Sequence, residues 1–315
     1  MDIQVYQPGI YPRSERVVAA TRGFDRGRVA SAAVDEAFRQ DLEAFLKVQR
    51  EAGVDLYSDG MLRWQDVFRP LVEASPPLRA HTLVRWFDNN AFYRAPEVGG
   101  GIAPLTRVEA ILPDPMVPRP RVATLPSPYL FSRAAIGVAD RNAFMIEVAG
   151  AILRPAIEQL GRNDCELIHL QEPWLPYFGI GAADWAPFQE ALGLLHGTTP
   201  LVLFLPYGDA GPHVDRLRRL PVDAIGIDLV ETDVAELGGG WEIGLAAGCV
   251  NGRSSLIESL DDTVDLIHHV ARSVKPARLF VTANSDLELL PTAIAEQKVR
   301  LLGEVAKHVR AKVPA

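Results

Sequence analysis

Eight short apolar runs punctuate the chain: IQVY (3–6), VDLY (54–57), RVATL (121–125), ELIHL (166–170), PLVLFL (200–205), AIGIDL (224–229), EIGLAAG (242–248) and RLFVT (278–282). Most are apolar almost throughout and do not alternate. A strand with one wet face alternates, whereas a strand covered on both faces does not. The runs therefore predict a parallel sheet wrapped in helices. Stretches with helical spacing lie between them. In 35–53, Phe38, Leu42, Phe45 and Gln49 form one stripe and Gly53 is the stop. In 142–161, Phe144, Val148, Ala151 and Ile152 share a face, Pro155 predicts a kink and Gly161 an end. The stretch 259–276 opens with Ser259 and Asp262 in capping-box spacing, and 291–309 opens on Pro291 at a first helical position. Weaker patterns suggest helices at 63–74, 182–195, 209–219 and 254–258.

Eight strands alternating with helices predict a (β/α)8 TIM barrel formed as one domain over 1–315. The rival is an open doubly wound sheet. Its usual phosphate-binding signatures, a G-x-G-x-x-G after the first strand or a P-loop, are missing. The segment 75–120 is too long for a plain loop. It contains RWFDNNAFYRAP, which reads as a hairpin inserted after strand 2 and laid over the barrel mouth.

Composition narrows the partners. Net charge is −8 over 315 residues, so nucleic acid and anionic membrane surfaces are poor partners for the chain as a whole. Two cysteines, Cys165 and Cys249, stand far apart, which argues against a disulfide framework and for a reducing, cytoplasmic setting. No signal peptide and no membrane-spanning stretch is legible.

Chemistry in such a barrel gathers where the strands end. That rule marks Arg13 and Ser14 after strand 1, and Asp59, Met61, Arg63, Trp64 and Asp66 after strand 2. It marks Gln171, Glu172 and Trp174 after strand 4, and Tyr207 and Asp209 after strand 5. Asp228 and Glu231 follow strand 6, Asn251 and Arg253 strand 7, and Asn284, Ser285 and Asp286 strand 8. Simpler roles compete. Asp59-Gly60, Asp209 and Asn251-Gly252 are turn formers, and Asn284 or Ser285 could cap the last helix. Glu172 directly follows a wholly apolar strand, which favours the mouth. Trp64, Trp86 and Trp174 could pave a flat ligand or pack in the core. His169, inside a strand, reads as a core histidine. No zinc-binding spacing of Cys and His and no G-x-S-x-G elbow occurs.

Several segments, in order, resemble the catalytic C-terminal barrel of cobalamin-independent methionine synthase in its short form. PGIYPRSERVVAATRGFDRGRVA is similar to the family's Gly-Ser-Phe-Pro-Arg opening, and LKVQREAGVDLYSDGMLRWQDV to its Gly-Glu turn region. RWFDNNAFYRAP resembles the family's hairpin, LIHLQEPWL its Ile-Asp-Glu-Pro strand and VTANSDLELL its Asn-Pro-Asp-Cys-Gly-Leu loop. The resemblance implies a barrel that transfers a methyl group from a folate to a zinc-bound thiolate. The metal would lower the thiol pKa to make the nucleophile.

This chain departs from that pattern at the metal. Phe204 and Pro206 stand at the family's His-x-Cys, Asp228 at its Glu, and Ser285 at its loop cysteine. Met61 and Gln171 replace the two carboxylates that anchor the amino-acid substrate, and Ile10 replaces the opening serine, while Glu172 and Asp66 persist. An ammonium without a carboxylate loses a charge-assisted bond of ~1.5–3 kcal/mol.

The expectation is therefore a methyltransferase-like enzyme with an altered zinc and homocysteine site and no protein-bound metal. Glu172, Asp228 and Asp66 would be its acid/base or orienting groups. Arg13, Ser14, Asp59, Met61, Gln171, Trp174, Tyr207, Asn251, Asn284 and Ser285 would line the substrate. The donor would be a folate or a methylcorrinoid, the latter on a corrinoid protein, and a homodimer is compatible. Three alternatives stay open. One is a lyase or decarboxylase that holds carboxylates on Arg13, Arg63 and Arg253. Another is an accessory barrel without chemistry. The last is a rearranged zinc set built from Asp228 with Cys249 or His169.

Overall fold

The computed structural model describes residues 1–197 and 199–312. Among the described residues seven parallel strands form one curled sheet in the order β1-β9-β8-β7-β6-β5-β4. They are β1 (Asp2–Val5), β4 (Arg121–Pro126), β5 (Cys165–Gln171), β6 (Leu201–Leu205), β7 (Ala224–Asp228), β8 (Gly244–Val250) and β9 (Arg278–Ala283). The other two, β2 (Arg79–Arg85) and β3 (Phe92–Glu97), pair antiparallel as a separate ribbon. The continuous apolar runs account for the sheet, because β6, β7 and β8 are buried along their whole length.

The run at 54–57 forms no strand of its own. It lies between the two sheet edges all the same. The Val5 carbonyl accepts from Asp55 N at 2.9 Å and Leu56 N at 3.4 Å, and on the other side Tyr57 N donates to Pro120 O at 2.9 Å. Val122 N donates back to Tyr57 O at 2.9 Å, completing a single parallel bridge between Tyr57 and Arg121. The ladder fails to extend because the Asp55 side chain takes the Val5 N–H at 2.7 Å, where a backbone carbonyl would stand in a strand.

The helical pattern holds for the long helices. Ser31–Ala52 is capped by Gly53, and Gln49 on its inner stripe is buried because it exchanges two bonds with the Ser58 backbone, at 2.9 and 3.0 Å. Ser259 accepts from Asp262 N at the start of Leu260–Ser273, and the last helix, Thr292–Lys312, begins just after Pro291. The stretch 141–162 is helical with a π turn at Ala149–Leu153, next to Pro155. A proline cannot donate to the carbonyl four residues back and clashes with it, and the wider turn relieves both problems. That helix runs past Gly161 to Arg162, and Asp164 takes the left-handed conformation at φ 64°. The weaker expectations shrink: 63–74 becomes Arg69–Ala74, 209–219 becomes a 3-10 turn with Val214–Leu217, and 254–258 is a bend. Helices Glu15–Asp25, Pro128–Ala134 and Trp174–Phe178 complete the loops that matter below.

Two apolar clusters result. One fills the space between sheet and helices. The other is the interior of the curled sheet: Tyr6, Leu56, Val122, Leu167, Val202, Phe204, Ala224, Ala246 and Phe280. Leu56 belongs to this interior set although it lies in no strand, so the 54–57 run packs as a stave would.

Candidate active site at the carboxyl ends of the strands

Phe204 sets the floor of the mouth. It is the penultimate residue of β6 and points inward, and its ring occupies space that two neighbouring glycines leave free. A Cβ on Gly226 would lie 2.0 Å from the ring, and one on Gly248 2.8 Å from it. His169 stacks on the same ring at 4.9 Å, and its Nδ1 meets the Tyr6 hydroxyl at 3.1 Å. Burial holds the imidazole down to about 3, so it is neutral at physiological pH. His169 is therefore a packed core histidine.

Above the floor, a hydrogen-bonded chain links the ends of four strands, β6 to β9. Asp228 is fully buried at the end of β7. Its Oδ2 accepts from Tyr207 N at 3.2 Å, and its Oδ1 accepts from Val230 N at 3.0 Å and Asn284 Nδ2 at 2.9 Å. Asn284 Oδ1 in turn accepts from Gly252 N at 2.8 Å and from the Ser285 hydroxyl at 3.1 Å. Asn251 stays at the rim, where its Oδ1 accepts from Arg253 N. Burial raises the Asp228 carboxyl to about 6.

Gln171 and Asp286 form a second link. Gln171 Nε2 donates to Asp286 Oδ1 at 2.7 Å, and Ile10 N donates to the same oxygen at 3.0 Å. The approach is so close that a Cβ on Gly9, which sits at φ +71°, would fall 1.5 Å from that oxygen. Burial, then the neighbouring Glu288 carboxylate, pushes Asp286 up to about 7. Asp286 and Glu288 line two small cavities, each of about 20 Å³, that flank Trp86 and Ala91 of the β2–β3 ribbon. Tyr207 and Ser285 line the first and Asp66 the second. Each has room for about one water.

The ribbon tip covers this ground. Trp86 Nε1 donates to the Tyr207 hydroxyl at 3.3 Å, and Asp88 pairs with Arg253 at 2.6 Å. Phe87 packs among Trp174, Tyr177, Phe178 and Tyr207, with centroids 5.2–6.1 Å apart. Trp174 thus belongs to an aromatic group at the rim.

Other expected residues are engaged elsewhere. Glu172 is fully buried between two helix starts: its Oε2 accepts from the Ser127 hydroxyl and from Leu130 N at 2.9 Å, and its Oε1 from Leu175 N at 2.9 Å. Burial raises it to about 7 in spite of these donors. Asp66 accepts from Phe68 N and Arg69 N, both 2.9 Å, in the turn that leads into Arg69–Ala74, and holds the ribbon through Arg94 N at 3.1 Å. Ser14 caps its own helix and donates to Asp41 at 2.6 Å. Asp59 accepts from Met61 N at 2.9 Å as a turn residue. It opens onto a flank groove of about 740 Å³ with Asp114, Arg119 and Arg121. Met61, at φ 48°, is buried in the outer core.

The three arginines expected to clamp carboxylates are each paired within the chain, and Arg253 lines the first cavity. Arg13 donates to the Leu62 and Trp64 carbonyls and reaches Glu288 at 3.5 Å. Arg63 pairs with Asp35 on the surface, and Arg253 with Asp88. Glu288 is a lining residue that the strand-end set lacks, and Trp86, expected either to pave a ligand or to pack, lines both cavities. Glu288 lies in a turn of the same loop, two residues past Asp286, and Trp86 comes from the ribbon.

The donors for zinc do not fit either. Phe204 and Pro206 offer none, and Asp228 spends both oxygens on three N–H groups. Cys249 points its sulfur toward Thr282 O at 3.8 Å, and burial raises the thiol to about 12. Among the described residues no three His, Cys, Asp or Glu side chains gather in a metal-holding group.

With this geometry in view, the chain can be set beside known proteins. Residues 74–275 match the family model described as cobalamin-independent synthase, N-terminal domain. A methionine synthase of Sulfolobus acidocaldarius is 23% identical over 303 residues, covering 92% of this chain and 87% of that protein. A 5-methyltetrahydropteroyltriglutamate–homocysteine methyltransferase of Xylella fastidiosa is 24% identical over 318 residues; the match takes in 87% of this chain but only 41% of that longer protein. Among solved structures, a B12-independent methionine synthase from Shewanella sp. W3-18-1, in complex with selenomethionine, superposes with a TM-score of 0.76 at 15% identity, covering 98% of both chains. The motifs quoted from the sequence resemble the family's C-terminal barrel, and the matching model describes its N-terminal domain. The chain belongs to the cobalamin-independent synthase family.

Proposed function

We propose that the chain is a methyltransferase-like barrel whose mouth has lost the zinc and homocysteine grip of its relatives. The observation that carries this reading is the Phe204 ring, seated against Gly226 and Gly248 where the resemblance puts a histidine ligand. The side chain and the room made for it agree, so the site is rebuilt and not merely damaged. Counted from Asn284, the Asn-Pro-Asp-Cys order sets Leu287 at the thiol position, Ser285 at the proline and Asp286 at the aspartate. Under either alignment no thiolate stands there.

In this reading residues 54–58 close the sheet into a (β/α)8 barrel, a single domain over 1–315 with 75–120 inserted as a cover. The substrate is a small molecule held at Asp286, Glu288, Tyr207, Asn284 and Ser285. Asp286 is the group that holds or moves a proton, because burial leaves it near neutrality and it faces open space. Glu172, Asp66 and Asp228 orient the loops that carry the site. The methyl donor is a folate or a methylcorrinoid. The pairing of Arg13, Arg63 and Arg253 with Glu288, Asp35 and Asp88 speaks against the decarboxylase reading.

A second reading has one observation behind it. The family match is to the N-terminal domain, whereas the resemblance places the family's chemistry in its C-terminal barrel. On that reading the chain is an accessory barrel that binds but does not transfer. Methyl transfer from a methylfolate and from a methylcorrinoid, offered to homocysteine and to other thiol and amine acceptors, separates the two. Turnover with an acceptor other than homocysteine supports the first reading. Donor binding without turnover supports the second. Efficient homocysteine methylation overturns both.

A further inference from the structure

Lys298 is buried completely in the helix Thr292–Lys312, on the outside of the sheet. Taking an ammonium out of water costs several kcal/mol, and an apolar side chain of similar volume would pack there at less cost. The charge is nevertheless fully used. Nζ donates to Leu256 O at 2.7 Å and to Glu258 Oε1 and Oε2 at 2.8 and 3.0 Å. Glu258 Oε1 also accepts from Asn251 N at 2.8 Å, and Asn251 Oδ1 accepts from Arg253 N at 2.8 Å. Gly252 N, between them, donates to Asn284 at the mouth. An unbroken polar chain therefore runs from the outer helix layer to the turn 251–253.

That turn ends in Arg253. Its guanidinium lies over the Tyr207 ring, 5.4 Å from the centroid, and reaches across to Asp88 on the ribbon tip at 2.6 Å. Glu231 is 4.0 Å away on the other side. An ion pair as open as Arg253–Asp88 holds little by itself. Its hold on the tip depends on how firmly the turn beneath it is fixed. The cavities under the tip, about 20 Å³ each, are far smaller than the several hundred Å³ that a small-molecule ligand occupies. A ligand of that size fits there only if the tip lifts.

We infer that Lys298 and Glu258 are positioning residues, which fix the 251–258 loop so that Arg253 clamps the ribbon tip over the mouth. The functional consequence rests on the mouth being the substrate site, but the mechanical claim stands apart from it.

Amide hydrogen exchange on the full-length chain tests the claim, following 251–258, the tip 86–91 and, as a reference, β5. The variants are Lys298→Met, Glu258→Gln, the apolar pair Lys298→Met/Glu258→Met, and Arg253→Ala, each with its thermal midpoint measured. Lys298→Met should speed exchange ~10-fold in both the loop and the tip and leave β5 unchanged. Glu258→Gln keeps an acceptor for Asn251 N and should give a smaller rise. The apolar pair should recover the midpoint, as buried ion pairs replaced on both sides often do, yet leave loop and tip fast. Arg253→Ala should free the tip alone, and it serves if Lys298→Met does not fold. Recovery of slow exchange together with the midpoint in the apolar pair would reduce Lys298 to packing and overturn the inference. So would a tip that ignores Arg253→Ala. Absence of methyl transfer would count against the proposed function and leave these readouts intact.

Discussion

The ends of β5 and β9 each carry a carboxyl that burial raises to about 7, and the two do different work. Glu172 is enclosed by donors from two helix starts and has no oxygen left for a ligand. Asp286 spends one oxygen on Gln171 and Ile10 and lines two cavities. Similar chemistry and a similar place in the fold thus yield a fastener in one case and an open group in the other. The count of N–H donors aimed at each oxygen separates them, and a pKa alone does not.

The largest effect tests what the two ends share, the Phe204 floor. Phe204→Ala should destabilise the protein by ~3–5 kcal/mol through the cavity it leaves. Gly226→Ala, which drives a methyl into the ring, should also destabilise. The double variant should be better than the sum of the two, because each change relieves the other. Strict additivity in denaturant unfolding would mean the ring and the glycine are not packed as described.

Next comes the fastener itself. Glu172→Ala orphans the Ser127 hydroxyl and Leu175 N, leaves Leu130 N with Ser127 Oγ alone, and should lose about 3 kcal/mol. Asp286→Asn should lose ~1 kcal/mol or less, since the amide oxygen still accepts from Gln171 and Ile10. Equal losses in chemical denaturation would erase the distinction between the two ends.

A third test uses pH. Glu172, Asp228 and Asp286 all have raised values in the folded state, so the folded protein binds their protons more tightly than the unfolded chain does. Their contribution is fully present below ~4 and is lost as pH rises through about 6 to 7. The denaturant midpoint should fall over that interval, and Glu172→Gln and Asp286→Asn should each flatten part of the fall. A midpoint that rises between pH 4 and 7 in the parent and is unmoved in the variants would contradict the assignment.

Much of this frame is legible in the chain itself. Unbroken apolar runs report strands covered on both faces, and seven of the eight runs are strands here. The eighth, VDLY, packs as expected, but the Asp55 side chain takes a ladder position, an event that no apolar pattern encodes. Pro128–Ala134 was hidden because its cap, Ser127, lies in a proline-rich stretch that reads as loop. The site was legible as a set of strand ends and illegible as a set of roles. Glu172, Asp66, Ser14 and Asp59 all carry the right chemistry, but their neighbours' backbone N–H groups or a second carboxylate take it up. Asp286 stood among the strand-end residues, and only the Gly9 approach and the ribbon tip reveal that it faces a cavity.

The smallest effect sets the scale. Arg63→Ala removes a surface pair with Asp35 and should change stability by less than ~0.5 kcal/mol, with no effect on ligand binding. A loss of polycarboxylate binding in that variant would bring the decarboxylase reading back.

Zinc titration by calorimetry on the purified chain at neutral pH, preceded by elemental analysis, tests the central claim most directly. The mouth described here predicts no saturable site tighter than about 10 µM, a binding free energy of roughly −7 kcal/mol. One tightly held zinc per chain, displaced by substitution of Asp228 or Cys249, would contradict it.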